Sequence, residues 1–199
     1  IPNSVTRIGD FAFRDCSNLI SVTVSNSYAT LGVGAFSYCT ELASFVFPRE
    51  TTIIPMICFM ECSNLTSVSL PRSVTKIGID AFYACNNITD VYYEGGESDW
   101  NNIEIWDDNG PLVSANIHYD YKFVTSGTTG DCTWVLDGTV LTISGNGNMG
   151  EYSPYGTNAP WGKSITEVII EDGVTSIGEF SFDGCKDLAN VSIPSSVSN

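Results

Sequence analysis

Residues 8–24 read IGDFAFRDCSNLISVTV, and residues 31–47 (LGVGAFSYCTELASFVF), 54–70 (IPMICFMECSNLTSVSL) and 77–93 (IGIDAFYACNNITDVYY) repeat that pattern at a step of 23. Cys16, Cys39, Cys62 and Cys85 anchor the frame, which returns at residues 177–193 (IGEFSFDGCKDLANVSI) around Cys185. A fixed period of this length implies stacked coils, each burying its apolar face only against its neighbours.

Phe13, Phe36, Phe59, Phe82 and Phe182 precede each cysteine by three, and Leu19, Leu42, Leu65, Ile88 and Leu188 follow it by three, so these positions point inward. After the cysteine the apolar residues alternate: Val22 and Val24, Phe45 and Phe47, Val68 and Leu70, Val91 and Tyr93. A period of two predicts one short strand per coil, and strands at constant spacing predict a parallel sheet with neighbours about 4.8 Å apart. The intervening residues then face outward in two rows. Ser21, Ser44, Ser67 and Asp90 make the first; Thr23, Val46, Ser69 and Tyr92 make the second. A second apolar pair in the coil, as in Val5 with Ile8, Val74 with Ile77 and Val174 with Ile177, predicts an opposite wall, a short strand leading into a helical turn.

The Ile-Gly, Ala-Phe, Cys and Leu-x-x-Val-x-Ile-Pro elements resemble the BspA-like leucine-rich repeat family over most of the chain. Pro55 stands where the pattern has Gly, Cys58 where it has Ala, and no Pro follows Val24, so a local distortion of the third coil is expected. The resemblance implies a repeat solenoid of leucine-rich-repeat type, mainly β with a parallel sheet and short helical turns, interrupted by a cap and a β-hairpin. It also implies a role in adhesion.

After Tyr93 the frame lapses. Residues 94–121 carry seven acidic side chains and no Lys or Arg, with a helix start at Glu97–Trp100, a break at Gly110-Pro111 and a closing strand at residues 115–119. This reads as an acidic cap on a first array of about four coils, residues 1–93. Residues 132–143 alternate on both sides of Asp137-Gly138, the signature of a tight β-hairpin. Residues 122–163 are therefore expected to hold this hairpin and the N-terminal cap of a second array, which occupies residues 164–199 and reads as truncated.

Eight Lys and Arg against 23 Asp and Glu leave a net charge of −15, which disfavours nucleic acid as a partner. No apolar run approaches the roughly 18 residues that suggest a membrane-spanning helix, so no membrane insertion is expected. Ile1 begins inside a repeat, with any export signal removed or outside the sequence. Few charged residues and many Ser, Thr, Asn and Gly suit an extracellular or cell-surface β-rich protein. The seven cysteines depart from the disulfide framework of small secreted domains. Five occupy an inward template position and Cys58 another, which predicts buried, reduced, inert thiols.

The residues offer little chemistry. His118 is the single histidine, so any Ser-His-Asp or Cys-His mechanism would need it; a solvent-facing strand residue is the plainer reading. The cysteines lack CxxC spacing or a partner His, which argues against zinc, and neither metal nor cofactor is expected. Asp107-Asp108-Asn109-Gly110 lacks the spaced acids of a calcium loop and reads as a turn. The acceptor triplets at Asn64, Asn87 and Asn190 coincide with the repeat itself. Trp134, Tyr152, Tyr155 and Trp161, near Pro154 and Pro160, could stack on a sugar but more simply close a core.

No catalytic residue is identified, and the chain is read as a non-enzyme. The expected function is recognition or adhesion, with Ser21, Thr23, Ser44, Val46, Ser67, Ser69, Asp90 and Tyr92 binding a host or bacterial surface protein or glycan. The alternative is a rigid spacer in a larger secreted or surface protein.

Overall fold

The computed structural model describes every residue except 3, 123, 154–157 and 199, and the backbone alone of Val124. The chain divides into two units, Ile1–Tyr121 and Lys122–Asn199.

The first unit holds β1 (Arg7–Ile8), β2 (Thr30–Leu31), β3 (Ser44–Val46), β4 (Ile53–Ile54), β5 (Ser67–Leu70), β6 (Lys76–Ile77), β7 (Asp90–Tyr93), α1 (Glu97–Trp100), β8 (Glu104–Ile105), α2 (Gly110–Val113) and β9 (Asn116–His118). Strands β3-β5-β7-β9 form one parallel sheet, in the register Ser44↔Ser67↔Asp90↔Asn116. The opposite wall is made of two-residue strands in two parallel ladders, β1-β2 and β4-β6-β8. The fold is thus a solenoid of stacked parallel-strand coils with little helix.

Between the walls the chain makes successive turns, in which Ala12, Arg14 and Cys16 donate to carbonyls three residues back, without extending into regular helix. Left-handed residues recur there four apart, with positive φ at Phe11 and Asp15, Gly34 and Tyr38, Ile57 and Glu61, and Asp80 and Ala84. Every second N–H points along the stack. Phe11, Phe13 and Asp15 donate to the carbonyls of Val33, Ala35 and Ser37 in the next coil, and Gly34, Phe36 and Tyr38 donate to Met56, Cys58 and Met60. A helix would spend those donors within its own coil. Left-handed conformation costs a non-glycine residue on the order of 1 kcal/mol, which these intercoil bonds offset.

Inside, the phenyl rings of Phe13, Phe36, Phe59 and Phe82 stack coil upon coil at centroid distances of 5.2, 5.5 and 5.5 Å. The cysteine position has a specific use. Cys39, Cys62 and Cys85 each donate S–H to the backbone carbonyl of the Phe 26 residues earlier, at 3.0–3.1 Å. A small apolar side chain with a weak donor fits that buried slot. The recurring Gly after Ile also has a steric reason, since a Cβ on Gly78 would lie 2.6 Å from the backbone nitrogen of Met56.

Two expectations for this array fail. Residues 21–24 form no strand, and in the first coil Phe13 is half-buried, Cys16 is exposed and Ile20 is 67% exposed. The third coil is undistorted. Cys58 is fully buried, Phe59 keeps its place in the stack, and Pro55 merely lacks the N–H that Gly78 donates to Ile54.

The acidic stretch continues both sheets through β8 and β9. Gly110-Pro111 opens α2 instead of breaking the chain, since proline's fixed φ suits a first helical turn. Asn109, only 3% exposed, secures that turn: its side chain accepts from the Phe82 N–H and donates to the carbonyls of Gly78 and Trp106. A buried ion pair ties the turn after β3 to the one after β7, with Arg49 Nη2 2.7 Å from Glu94 Oε1.

The second unit holds β10 (Val124–Thr129), β11 (Cys132–Asp137), β12 (Val140–Gly145), β13 (Gly147–Asn148), β14 (Glu167–Ile170), β15 (Val174–Ser176) and β16 (Asn190–Ser192). The β11–β12 hairpin turns at Gly138-Thr139, with Gly138 at φ +59°, and β10 adds a third antiparallel strand. Strand β12 then pairs parallel with β14, and β14 with β16. Trp134 and Trp161 close this core edge to face, and Trp161 Nε1 donates to the Ser181 carbonyl. They are buried and offer no sugar platform; Pro154 and Tyr155 lie outside the described residues.

Two measurements check this packing. Phe36→Ala removes a fully buried ring from the middle of the stack and is expected to cost about 3–5 kcal/mol in urea unfolding; an unchanged midpoint would contradict the assignment. In thiol alkylation of the native chain, Cys16 should react first. Burial pushes the Cys39 thiol up to about 12 and raises that of Cys58, so these two should react only on unfolding.

Candidate functional site: the exposed face of the four-stranded sheet

Strands β3, β5, β7 and β9 bury Phe45, Val68 and Val91 fully and Ile117 partly, which forces the alternate residues outward. The two outward rows run Ser44, Ser67, Asp90, Asn116 and Val46, Ser69, Tyr92, His118. Six of the eight residues expected on this face are therefore on it. Ser21 and Thr23 are exposed but lie on the irregular chain of the first coil, so they do not extend the sheet.

Asn116 and His118 are additions that the repeat frame did not supply. Their stretch carries none of the template's Cys, Phe or Leu, and only the β7–β9 register places them beside Asp90 and Tyr92. His118 is a half-exposed strand residue, as the sequence suggests, but it has partners. Its Nε2 lies 2.7 Å from Asp90 Oδ1, and its ring stacks on Tyr92 with centroids 4.8 Å apart and planes 15° from parallel. That separation is simply the distance between neighbouring strands. Tyr121 closes on Tyr92 at 4.7 Å, while Thr89 donates its hydroxyl to Asp90 Oδ2 at 2.8 Å. Asn116 Nδ2 stands 3.1 Å from His118 Nε2 and 3.5 Å from Asp90 Oδ1.

The His118 hydrogen bond, followed by that of Thr89, holds the Asp90 carboxyl below the usual carboxylate range. An ionised Asp90 accepts the Nε2 proton of His118. Carboxylate and imidazole supply two parts of an acyl-transfer triad. The Thr89 hydroxyl is directed at Asp90. The arrangement is a rigid polar and aromatic cluster at one end of an otherwise small-residue face.

Other candidates are structural. Asp107 and Asp108 are exposed around the turn that Asn109 organises. Asn64 and Asn87 direct their amides to Glu41 and to the Ser63 carbonyl, while the Thr66 hydroxyl donates to the Ala43 carbonyl. Among the described residues no three His, Cys, Asp or Glu side chains are grouped to hold a metal, and no helix is long and apolar enough to cross a membrane.

The family model described as BspA type leucine rich repeat region matches six copies, over residues 1–103 and 156–199. Comparison with curated proteins finds no match. Two solved structures resemble the chain, each at 21% identity. One is a leucine rich cell surface protein from Faecalibacterium prausnitzii A2-165 (TM-score 0.34, covering 97% of this chain and 46% of that one). The other is a leucine-rich repeat protein from Bacteroides ovatus ATCC 8483 (TM-score 0.38, 100% and 55%). The chain thus spans about half the length of each.

Asp90 and His118 make a direct test of the geometry. A carboxyl depressed in the folded state adds stability above the unfolded value of about 3.9, and that stability is lost as pH falls through the folded value. His118→Ala should move the Asp90 titration, followed by carbon NMR, back toward the free value; an unmoved titration would remove His118 as the cause.

Proposed function

The chain belongs to the BspA-type leucine-rich repeat family, and on that footing we propose that it is an extracellular or cell-surface recognition module whose four-stranded sheet binds a protein or glycan. The observation that carries this is the cluster of Asp90, Tyr92, Asn116, His118 and Tyr121 on the open side of a sheet whose other side is packed. Aromatic anchors held rigid before contact lose little entropy on binding, and recognition energy concentrates on such residues. Ser44, Val46, Ser67 and Ser69 form the low floor beside them, where a partner can approach the backbone closely. The role includes no catalytic step, no cofactor and no nucleic-acid partner.

Small serines over most of the face favour one other reading, a rigid spacer that holds other domains apart. The two readings separate on binding of the soluble chain to a panel of matrix proteins and glycans at physiological salt. The recognition reading expects a saturable partner whose binding is lost when Ser44→Arg and Ser67→Arg are introduced together. Failure of the intact chain to bind any member would favour the spacer.

A further inference from the structure

We propose that Asp90, Tyr92 and Tyr121 seat a lysine or arginine side chain of a partner protein, a deepening that rests on the recognition reading above. Three observations converge on a cationic group.

The first is charge. Residues 1–121 contain five Lys and Arg against fourteen Asp and Glu, and all five basic side chains are already engaged. Arg7 pairs with Asp10, Arg14 with Asp15, Arg49 with Glu94, Arg72 with Asp99 and Lys76 with Glu104, at 2.7–3.5 Å. An approaching cation therefore meets an excess of acids and no uncommitted base of this unit. Such a field raises the on-rate of a cationic partner and repels an anionic one.

The second is a completed example in the same unit. On the opposite wall the Lys76 ammonium sits 3.8 Å from the centroid of the Trp106 ring and 3.5 Å from Glu104 Oε2. The Trp106 indole N–H donates to the same carboxylate at 2.7 Å. Ring, carboxylate and cation form a set. On the sheet face Tyr92 and Asp90 provide the ring and the carboxylate from neighbouring outward positions; His118 touches both, and no Lys or Arg of this unit reaches them.

The third is capacity. The two Asp90 oxygens offer about four lone-pair directions, of which His118 and Thr89 take the two short ones. The carboxylate is held in place, stays ionised and keeps about a third of its surface open. Tyr121 is 41% exposed, and Asp120 beside it is exposed as well. A cation over a tyrosine face is attracted to the ring even at an exposed site, and the carboxylate adds to that attraction.

The test measures fluorescence anisotropy of the 199-residue chain with a labelled peptide of alternating Gly and Arg, its Lys counterpart, and a citrulline version that keeps the shape of Arg without the charge. The Arg or Lys peptide should bind, with an on-rate that falls as salt rises, and the citrulline peptide should not. Asp90→Asn and Tyr92→Leu should each weaken binding about two- to fivefold, whereas Tyr92→Phe, which keeps the ring, should bind as the parent does. Exposed Glu171→Gln in the second unit should change nothing, and melting curves confirm that each variant is folded. Equal losses in Glu171→Gln would reduce the effect to diffuse charge and overturn the proposal, as would equal binding of the citrulline peptide. Ring resonances of Tyr92 that respond to a neutral oligosaccharide and not to the cationic peptides would also overturn it, yet leave the recognition face standing. Loss of all partner binding in the panel would remove both.

Discussion

In a stacked coil the backbone groups that point along the stack have no partner within their own coil, and residues 1–121 are organised around satisfying them. Strand ladders do this on the two walls. On the third side, a run of turns with left-handed residues four apart does the same, so that Phe11, Phe13 and Asp15 each reach a carbonyl in the next coil. The phenyl stack and the thiols that donate to phenylalanine carbonyls follow from the same repeat distance, because identical positions in successive coils are forced into contact. Each coil is stable only through its neighbours.

Residues 21–24 form no strand although their apolar pattern matches that of β5. At the far end of the unit, β8 and β9 keep both ladders going with a sequence that has left the template, and Asn109 and the Arg49–Glu94 pair supply polar fastenings. Burial pushes the Glu94 carboxyl up against the opposing pull of Arg49. The polar and aromatic cluster sits where the sheet passes from template to non-template sequence. Outward positions there are free to carry Asp, Tyr, Asn and His, whereas the inward ones remain bound by packing.

Much of this was legible from residues alone. The step of 23, the inward Phe and Cys, the alternating strand and the β11–β12 hairpin all follow from periodicity and turn chemistry. So did six of the outward residues on the four-stranded sheet. Ser21 and Thr23 lie on irregular chain, which the apolar pattern alone does not reveal. An Ala-Phe segment of spacing three suits a helix as well as it suits the successive turns found there. Gly110-Pro111 pointed to a break, yet the same dipeptide opens a helix when a buried Asn precedes it.

The sequence by itself determined the architecture, since one apolar pattern repeated at one period admits a single way of stacking. Only the tertiary structure decided the site. His118 and Asp90 are 28 residues apart, a separation that departs from the 23-residue step, and only the parallel register of β7 and β9 makes them neighbours. Periodicity specifies contacts between equivalent positions. Contacts between a repeat and a stretch that has left the frame depend on which backbone donors remain to be satisfied, and that becomes visible only once the coils are stacked.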